Sequence, residues 1–486
     1  MKNLKISDNT MKMCLNCVLI ILIVLTRSVS FNDSILNIDE TEWIYCLKKM
    51  ISNPIPTTGF DANTSGPIAI YLLYPLYLIS EKLYLSDLRI YGLIFLLIPF
   101  FLFIKKKLFE SITYSSIYFT FLIMLNKDFL AYNTEWVIIP FLFILEHLSS
   151  THKSFYTKSI YILIILVLPL IKFQAILFSV FFYIDLFLKD YKNNKNKELL
   201  KTSYITTILI AITFSILFYN VNIMEFKHYY IDRNMFYSKF MQWGKSNRDI
   251  FYIFRQQLSN LFFLQIIATI ITTILLMKKF GIKIITTFNR EYILTIITLI
   301  TIYIPKTNFT HYYQFLFFSL TILLAKKIII LADYSKKNQI KISIIFLIVL
   351  VGLGVNNAIN PFTNKDKNTS FNNSKHLEKI KKNSNVFILG CIEAEPLYYR
   401  LRNKINFKHI SAHTYFLKSF SEINRGKYYK KELNRVINTL NSDIDFIIDP
   451  EGIIGILNEN KINKIISRKY QKKDAFMKGF IYEKKE

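Results

Sequence analysis

Long apolar runs, separated by short Lys- and Asn-rich stretches, dominate the chain up to about residue 360. A helix that crosses a bilayer needs about 20 mainly apolar residues, fewer where aromatic residues sit at its ends. Runs of this kind fall at 13–30, 88–104, 111–126, 136–148, 159–171, 175–188, 202–219, 258–277, 287–305, 311–331 and 342–358. The pattern predicts an α-helical polytopic membrane protein with about 11 transmembrane helices. A further apolar piece, PIAIYLLYPLYLISEKLYL at 67–85, starts with Pro, is rich in Tyr and carries Glu81 and Lys82 near its end, so it is expected to lie in the interface.

The pattern changes after Asn360. Residues 361–375, PFTNKDKNTSFNNSK, have the composition of a linker. Beyond it NVFILG and DFIID have the continuous apolar character of buried strands, while LEKIKK, EPLYYRLR and YYKKELNRVINTL have helical spacing. That alternation predicts a small C-terminal α/β domain over 361–486, following a transmembrane domain over 1–360 whose first large loop is 31–87.

Composition agrees with the pattern. Of 486 residues, 52% are hydrophobic and 16% aromatic, too many for one soluble core. The formal charge of +27 does not point to nucleic acid, because the Lys residues cluster in short stretches between apolar runs. The segments Lys105–Lys107, His152–Lys158, Lys189–Lys201, Lys278–Lys283 and Lys336–Lys341 are all basic and alternate along the chain, which puts them and the N-terminus on the cytoplasmic side. The Asn, Lys and Ile bias resembles an AT-rich bacterial genome, so the expected location is the bacterial inner (cytoplasmic) membrane, with the C-terminal domain outside. Lys2, Lys5 and Lys12 before a short apolar run resemble a signal peptide, but no small-residue cleavage site precedes Phe31, and the segment is expected to stay as a helix. Cys14 and Cys17 fall inside that helix, where their spacing indicates packing rather than zinc or redox chemistry; Cys46 and Cys391 are expected outside.

Ionisable residues then gather in the stretches expected outside. NIDETEWIYCLKKM at 37–50 places Asp39, Glu40 and Glu42 beside an apolar stripe of Trp43, Ile44, Leu47, Met50 and Ile51. Asn37 with Glu40, or Asp39 with Glu42, has capping-box spacing, and a carboxylate at the bilayer edge also has the raised basicity a general base needs. GFDANTSGP adds Asp61; NKDFLAYNTEW adds Lys127, Asp128, Asn133 and Glu135; LPLIKFQA adds Lys172 and Gln174; PKTNFTHYYQF adds Lys306 and His311. Each cation is equally an interfacial anchor, and Glu135 with Trp136 is equally a helix start with a belt aromatic. Acids and separated cations on one face suit a site that removes a proton and holds a phosphate.

At these residues the chain resembles the GT-C class of integral-membrane glycosyltransferases, and within it the bacterial relatives of protein mannosyltransferases and aminoarabinose transferases. The likeness rests on the Asp39-Glu40 pair, on Asp61 followed by the Pro67-led helix, on Asn133 to Glu135, on Lys172 within an apolar stretch and on His311-Tyr312. Many relatives have Arg before the His-Tyr element, where this chain has Lys306. The resemblance covers about residues 13–330. It implies transfer of a sugar from a polyprenyl-phosphate donor to a hydroxyl on a glycan, lipid or protein acceptor, with inversion. Asp39 would be the general base, with Glu40 or Glu135 orienting the acceptor or stabilising charge on the sugar. Lys172, Lys306 and His311 would bind the donor phosphate, and Asp61, Asn133 and Gln174 would position substrate. No cofactor is expected, although some members of the class use Mg or Mn, and no nucleic-acid partner is expected.

Two other classes compete. An O-antigen polymerase or ligase would use a basic outer loop such as 220–257, which holds Lys227, Arg233, Lys239, Lys245, Arg248 and Arg255. A lipid-linked sugar transporter would place ionisable residues on broken helices in mid-membrane, whereas the apolar runs here are nearly free of charge at their centres.

Overall fold

The computed structural model describes residues 7–31, 38–56, 60, 65–80, 82–123, 127–149, 154–192, 196–218, 221–235, 247–305, 309–333, 377–389, 397, 398, 401, 405, 406 and 427–485. Of the expected features, Asp61, Lys306, Cys391 and the run 342–358 lie outside these residues. The chain forms two compact units, one of residues 1–32, 89–219 and 234–364 and one of residues 33–88, 220–233 and 365–486. The first large loop therefore groups with the C-terminal residues and not with the helices that flank it.

The first unit is helical. Every expected span within the described residues forms a helix: Asp8–Arg27, Leu85–Ile104, Leu108–Leu122, Glu135–Leu148, Phe155–Ile171, Ile176–Lys192, Asn196–Phe218, Asn247–Phe280, Asn289–Tyr303 and Phe315–Asp333. Among the described residues, five helical stretches are long and apolar enough to cross a membrane: Asp8–Arg27, Leu85–Ile104, Glu198–Ile216, Phe262–Phe280 and Thr310–Asp333. The last is the hub. It packs against the Leu108–Leu122, Asn289–Tyr303, Asn247–Phe280 and Glu135–Leu148 helices, and 78% of its apolar window is buried, against 11% for Glu198–Ile216 and 17% for Phe262–Phe280. On those two peripheral helices Ile208, Ile212, Ile216, Ile270 and Ile274 are exposed. A water-facing helix carries polar residues on its outer face, so apolar side chains at those positions suit a lipid environment.

One expected loop is shorter than its sequence indicates. Residues 247–257, placed in the loop 220–257, are helical and extend the following span into a 34-residue helix. Their charged residues are spaced within the helical pattern rather than ending it. That helix stops where Gly281 takes a positive φ of 76° after Lys278 and Lys279, with its amide donating to the Met277 carbonyl. Only Gly adopts this conformation without strain.

The second unit is built on a five-stranded sheet of order β2-β1-β3-β5-β4, with β1 at Ser384–Ile388, β2 at Ile405–Asn406, β3 at Phe446–Asp449, β4 at Tyr470–Phe476 and β5 at Gly479–Lys484. β1 runs parallel to β2 and β3, whereas β5 is antiparallel to β3 and β4. NVFILG and DFIID thus become the adjacent central strands. Helices Lys427–Asn441 and Asn460–Lys469 connect the strands and pack on each other. The first-loop acids open the helix Ile38–Ser52 of this unit. The stripe on that helix is incomplete as read from sequence, since Tyr45, Cys46 and Lys49 are buried along with Trp43, Ile44, Leu47 and Met50. The reason is partners on more than one side, among them Tyr398, whose ring centroid is 4.4 Å from that of Tyr45. The 67–85 piece forms two short helices, Pro67–Tyr71 and Tyr74–Ile79, too short to cross a bilayer.

Candidate functional site

Three turns between helices bring the sequence-predicted residues of the first unit together. Glu135 is the first residue of its helix, directly after the buried Asn133 and Thr134. Lys172 stands where the Phe155–Ile171 helix stops: its backbone is extended, at φ −149° and ψ 129°, and a 3-10 turn, Phe173–Ala175, leads into the next helix. Pro169 in the last turn of the preceding helix removes one backbone donor there. His311 lies on a 3-10 turn, Thr310–Gln314, that opens the hub helix. Because these are the start of one helix, the end of its neighbour and the start of the hub, all three residues occupy the same end of the bundle.

Their side chains converge. Lys172 Nζ lies 2.8 Å from Glu135 Oε1 and 4.8 Å from the centre of the Tyr312 ring. The His311 ring packs edge-on against that of Tyr312, with centroids 4.5 Å apart, and stacks on Phe309. His311 is also within electrostatic reach of the Glu135 carboxylate. Glu135 is fully buried, and Lys172, His311 and Tyr312 nearly so. An ammonium has three donors, so the Glu135 pair does not by itself use the full donor capacity of Lys172. Tyr312 gives the ammonium a π face as well. The chemistry on offer is a carboxylate, a lysine and an imidazole sharing one buried place.

The remaining candidates divide. Asn133 is buried, with Nδ2 donating to the Ala131 carbonyl at 3.2 Å, so it shapes the turn before Glu135. Gln174 is buried two residues after Lys172, and its Oε1 has no hydrogen-bond partner. Asp39 and Glu40 are in the second unit, in the first turn of their helix, Asp39 half-buried and Glu40 fully buried. There they complement the helix dipole; Asp39 lies inside the helix and is not its N-cap, and Asn37 lies outside the described residues. Of the basic loop residues, Arg233 is fully buried in the second unit, 3.9 Å from Glu432, with His228 at 3.5 Å from the same oxygen.

Two residues of the site were not legible from sequence. Arg27 closes the first helix: its Nε and Nη1 donate to the carbonyls of Leu122 and Phe129, both at 2.9 Å, and its guanidinium lies 4.8 Å from the Trp136 ring centre. It is buried and ties together the chain on either side of the turn that delivers Glu135. A lone Arg at the end of an apolar run has the pattern of an interfacial anchor, which hides this role. Gln314 is fully buried on the His311 turn, with neither amide atom partnered; only its spacing of three from His311 hints at it. No family model, curated protein or solved structure matches this chain.

Proposed function

We propose that the protein is a membrane glycosyltransferase that moves a sugar from a polyprenyl-phosphate donor to an acceptor hydroxyl, with inversion. The observation that carries this reading is the meeting of Glu135, Lys172 and His311, distant in sequence, at one end of an apolar helix bundle. Buried ionisable groups at membrane depth are costly and are retained where they line a functional cavity. The resemblance to GT-C enzymes and the expected topology of about eleven crossings, with this end of the bundle outside, support the same reading.

In this mechanism the acceptor oxygen attacks the anomeric carbon as the bond from that carbon to the phosphate oxygen breaks. The acceptor proton passes to a carboxylate, a role the resemblance gives to Asp39. The electron pair leaves with the polyprenyl phosphate, whose growing charge is met by the Lys172 ammonium and by an N–H donated from the His311 ring. Glu135 directs Lys172 and stabilises positive charge that develops on the sugar ring. This mechanism needs no metal ion, and none of its steps is routed through one.

The test is transfer from a panel of radiolabelled polyprenyl-phosphate sugars by membranes containing the protein or its Asp39→Asn form. Loss of a general base lowers turnover by about two to four orders of magnitude. Equal activity of the two forms removes Asp39 from the mechanism, and no transfer by the unaltered protein from any donor rejects the function. The envelope glycans of a deletion strain, read by mass spectrometry, identify the sugar and the acceptor.

A further inference from the structure

We infer that Gln314, with Gln174, is the sugar-reading element of this site, contacting the hydroxyl groups of the donor sugar while Lys172 and His311 hold its phosphate. The inference rests on the glycosyltransferase reading above. It begins from an imbalance: Gln314 is fully buried and neither its Oε1 nor its Nε2 has a hydrogen-bond partner, and the Oε1 of buried Gln174 has none either. Buried polar groups are nearly always paired, because the lost hydration is otherwise uncompensated. A fold that keeps two such amides on the turns that follow Lys172 and carry His311 is keeping them for something that binds there.

Backbone geometry puts both on the site. In a 3-10 turn side chains three residues apart eclipse one another. Thr310–Gln314 is such a turn, so Gln314 lies along the same edge as His311, the residue within reach of Glu135. Gln174 is on the turn that follows Lys172, held by the Ala175 amide donating to the Lys172 carbonyl at 2.9 Å. The chemistry of the ligand follows from which atoms lack partners. A phosphate offers acceptors only, so it would satisfy Gln314 Nε2 and leave both Oε1 atoms as they are. Those oxygens need donors. A hydroxyl both donates and accepts, and a sugar ring presents several at fixed spacing, which matches an amide pair.

The experiment uses the full-length protein in nanodiscs and follows thermal unfolding with two probes, a polyprenyl phosphate without sugar and polyprenyl-phosphate hexoses and pentoses. Gln314→Leu and Gln314→Met replace an unpartnered amide with an apolar side chain of similar volume. Both are expected to unfold at a higher temperature than the unaltered protein without ligand. Both are also expected to keep the shift produced by the sugar-free lipid and to need roughly tenfold more of the sugar-bearing lipid for half-saturation, the fold-change for one lost hydrogen bond. Gln174→Leu should weaken the same response. An unchanged response to the sugar-bearing lipid in all three variants overturns the inference and leaves the glycosyltransferase reading standing. An unaltered protein that responds to none of these lipids rejects both.

Discussion

Gly92 and Trp136 are packed so closely that a single methyl group does not fit between them: a Cβ on Gly92 would lie 2.6 Å from the Trp136 ring and 2.5 Å from that of Tyr132. Both aromatics are fully buried, so neither has open space to move into. Tyr132 and Trp136 bracket the turn that presents Glu135, and Arg27 holds that turn from another side. Gly92→Ala is therefore expected to cost about 1–3 kcal/mol through overpacking. It should also shift Glu135 relative to Lys172, and sugar transfer should fall further than the loss of folded protein explains. Unfolding temperature and transfer rate per folded molecule, measured together, check this.

The Glu135–Lys172 pair is both a structural element and a chemical one, and substitution can separate the two roles. Removing one partner leaves a buried charge without its counter-ion, which costs about 3–5 kcal/mol. Glu135→Gln and Lys172→Met should each lower the unfolding temperature strongly. The double variant should recover most of that loss, because a buried pair replaced on both sides by neutral groups is often near neutral in stability. Activity should not return with stability. A double variant as active as the unaltered protein shows that the pair is only a fastening.

How much of this was visible in the sequence follows from the kind of signal each residue gives. Apolar runs and basic interruptions report directly on helices, so every described expected span became one. The common end of Glu135, Lys172 and His311 follows from counting alternate helix ends. What failed to show has a physical reason in each case. β4, YQKKDAF, is an edge strand whose lysines face solvent, and charge there masks strand character. Lys327, near the end of an apolar helix, is fully buried, where a lysine at a helix end is expected to reach the interface; it bonds the Thr273 hydroxyl and the Thr269 carbonyl and faces the Tyr292 ring. Such partners come from other helices, and no local pattern encodes them. Gln314 gave no sign beyond its spacing of three from His311, because a lone amide is common everywhere.

The other end of the bundle carries a charge-balanced network. Arg290 meets Glu146 at 2.8 Å and Asp185 at 3.1 Å; Lys326 meets Glu146 at 3.3 Å and also pairs with Glu291; Lys189 meets Asp185 at 2.8 Å. Three cations face three carboxylates on four helices, so the cluster has no charge left for a ligand and acts as a fastening. Arg290→Ala should destabilise by about 3–5 kcal/mol. Being only partly exposed, the network should respond little to salt, because a Debye length of about 8 Å at physiological ionic strength screens exposed charges far more than buried ones. Donor half-saturation, measured below the unfolding transition, should stay unchanged in this variant, in contrast to Lys172→Met.

In the second unit two buried ionisable groups set opposite pH dependences. Burial, followed by repulsion from Arg435, lowers the Lys49 ammonium from 10.5 to about 7. Burial raises the Asp449 carboxyl from 3.8 to about 6, against the amides of Ile453 and Ile454 that donate to it. For Lys49 the folded state binds fewer protons than the unfolded chain, so its contribution is fully present above 10.5 and is lost as pH falls through about 7. For Asp449 the folded state binds more, so its contribution is fully present below 3.8 and is lost as pH rises through about 6. The unit should therefore lose stability as pH rises from 3.8 to about 6, and regain it between about 7 and 10.5. Lys49→Met should abolish the second change and stabilise the unit near pH 6 by a few kcal/mol, on the order expected for a shift of this size. Asp449→Asn should flatten the first. Cys46, buried on the same helix as Lys49, reports the transition: with Cys14, Cys17 and Cys391 changed to Ser, its labelling by a thiol reagent during heating follows this unit. A labelling midpoint that does not move with pH in the unaltered chain would contradict both assignments.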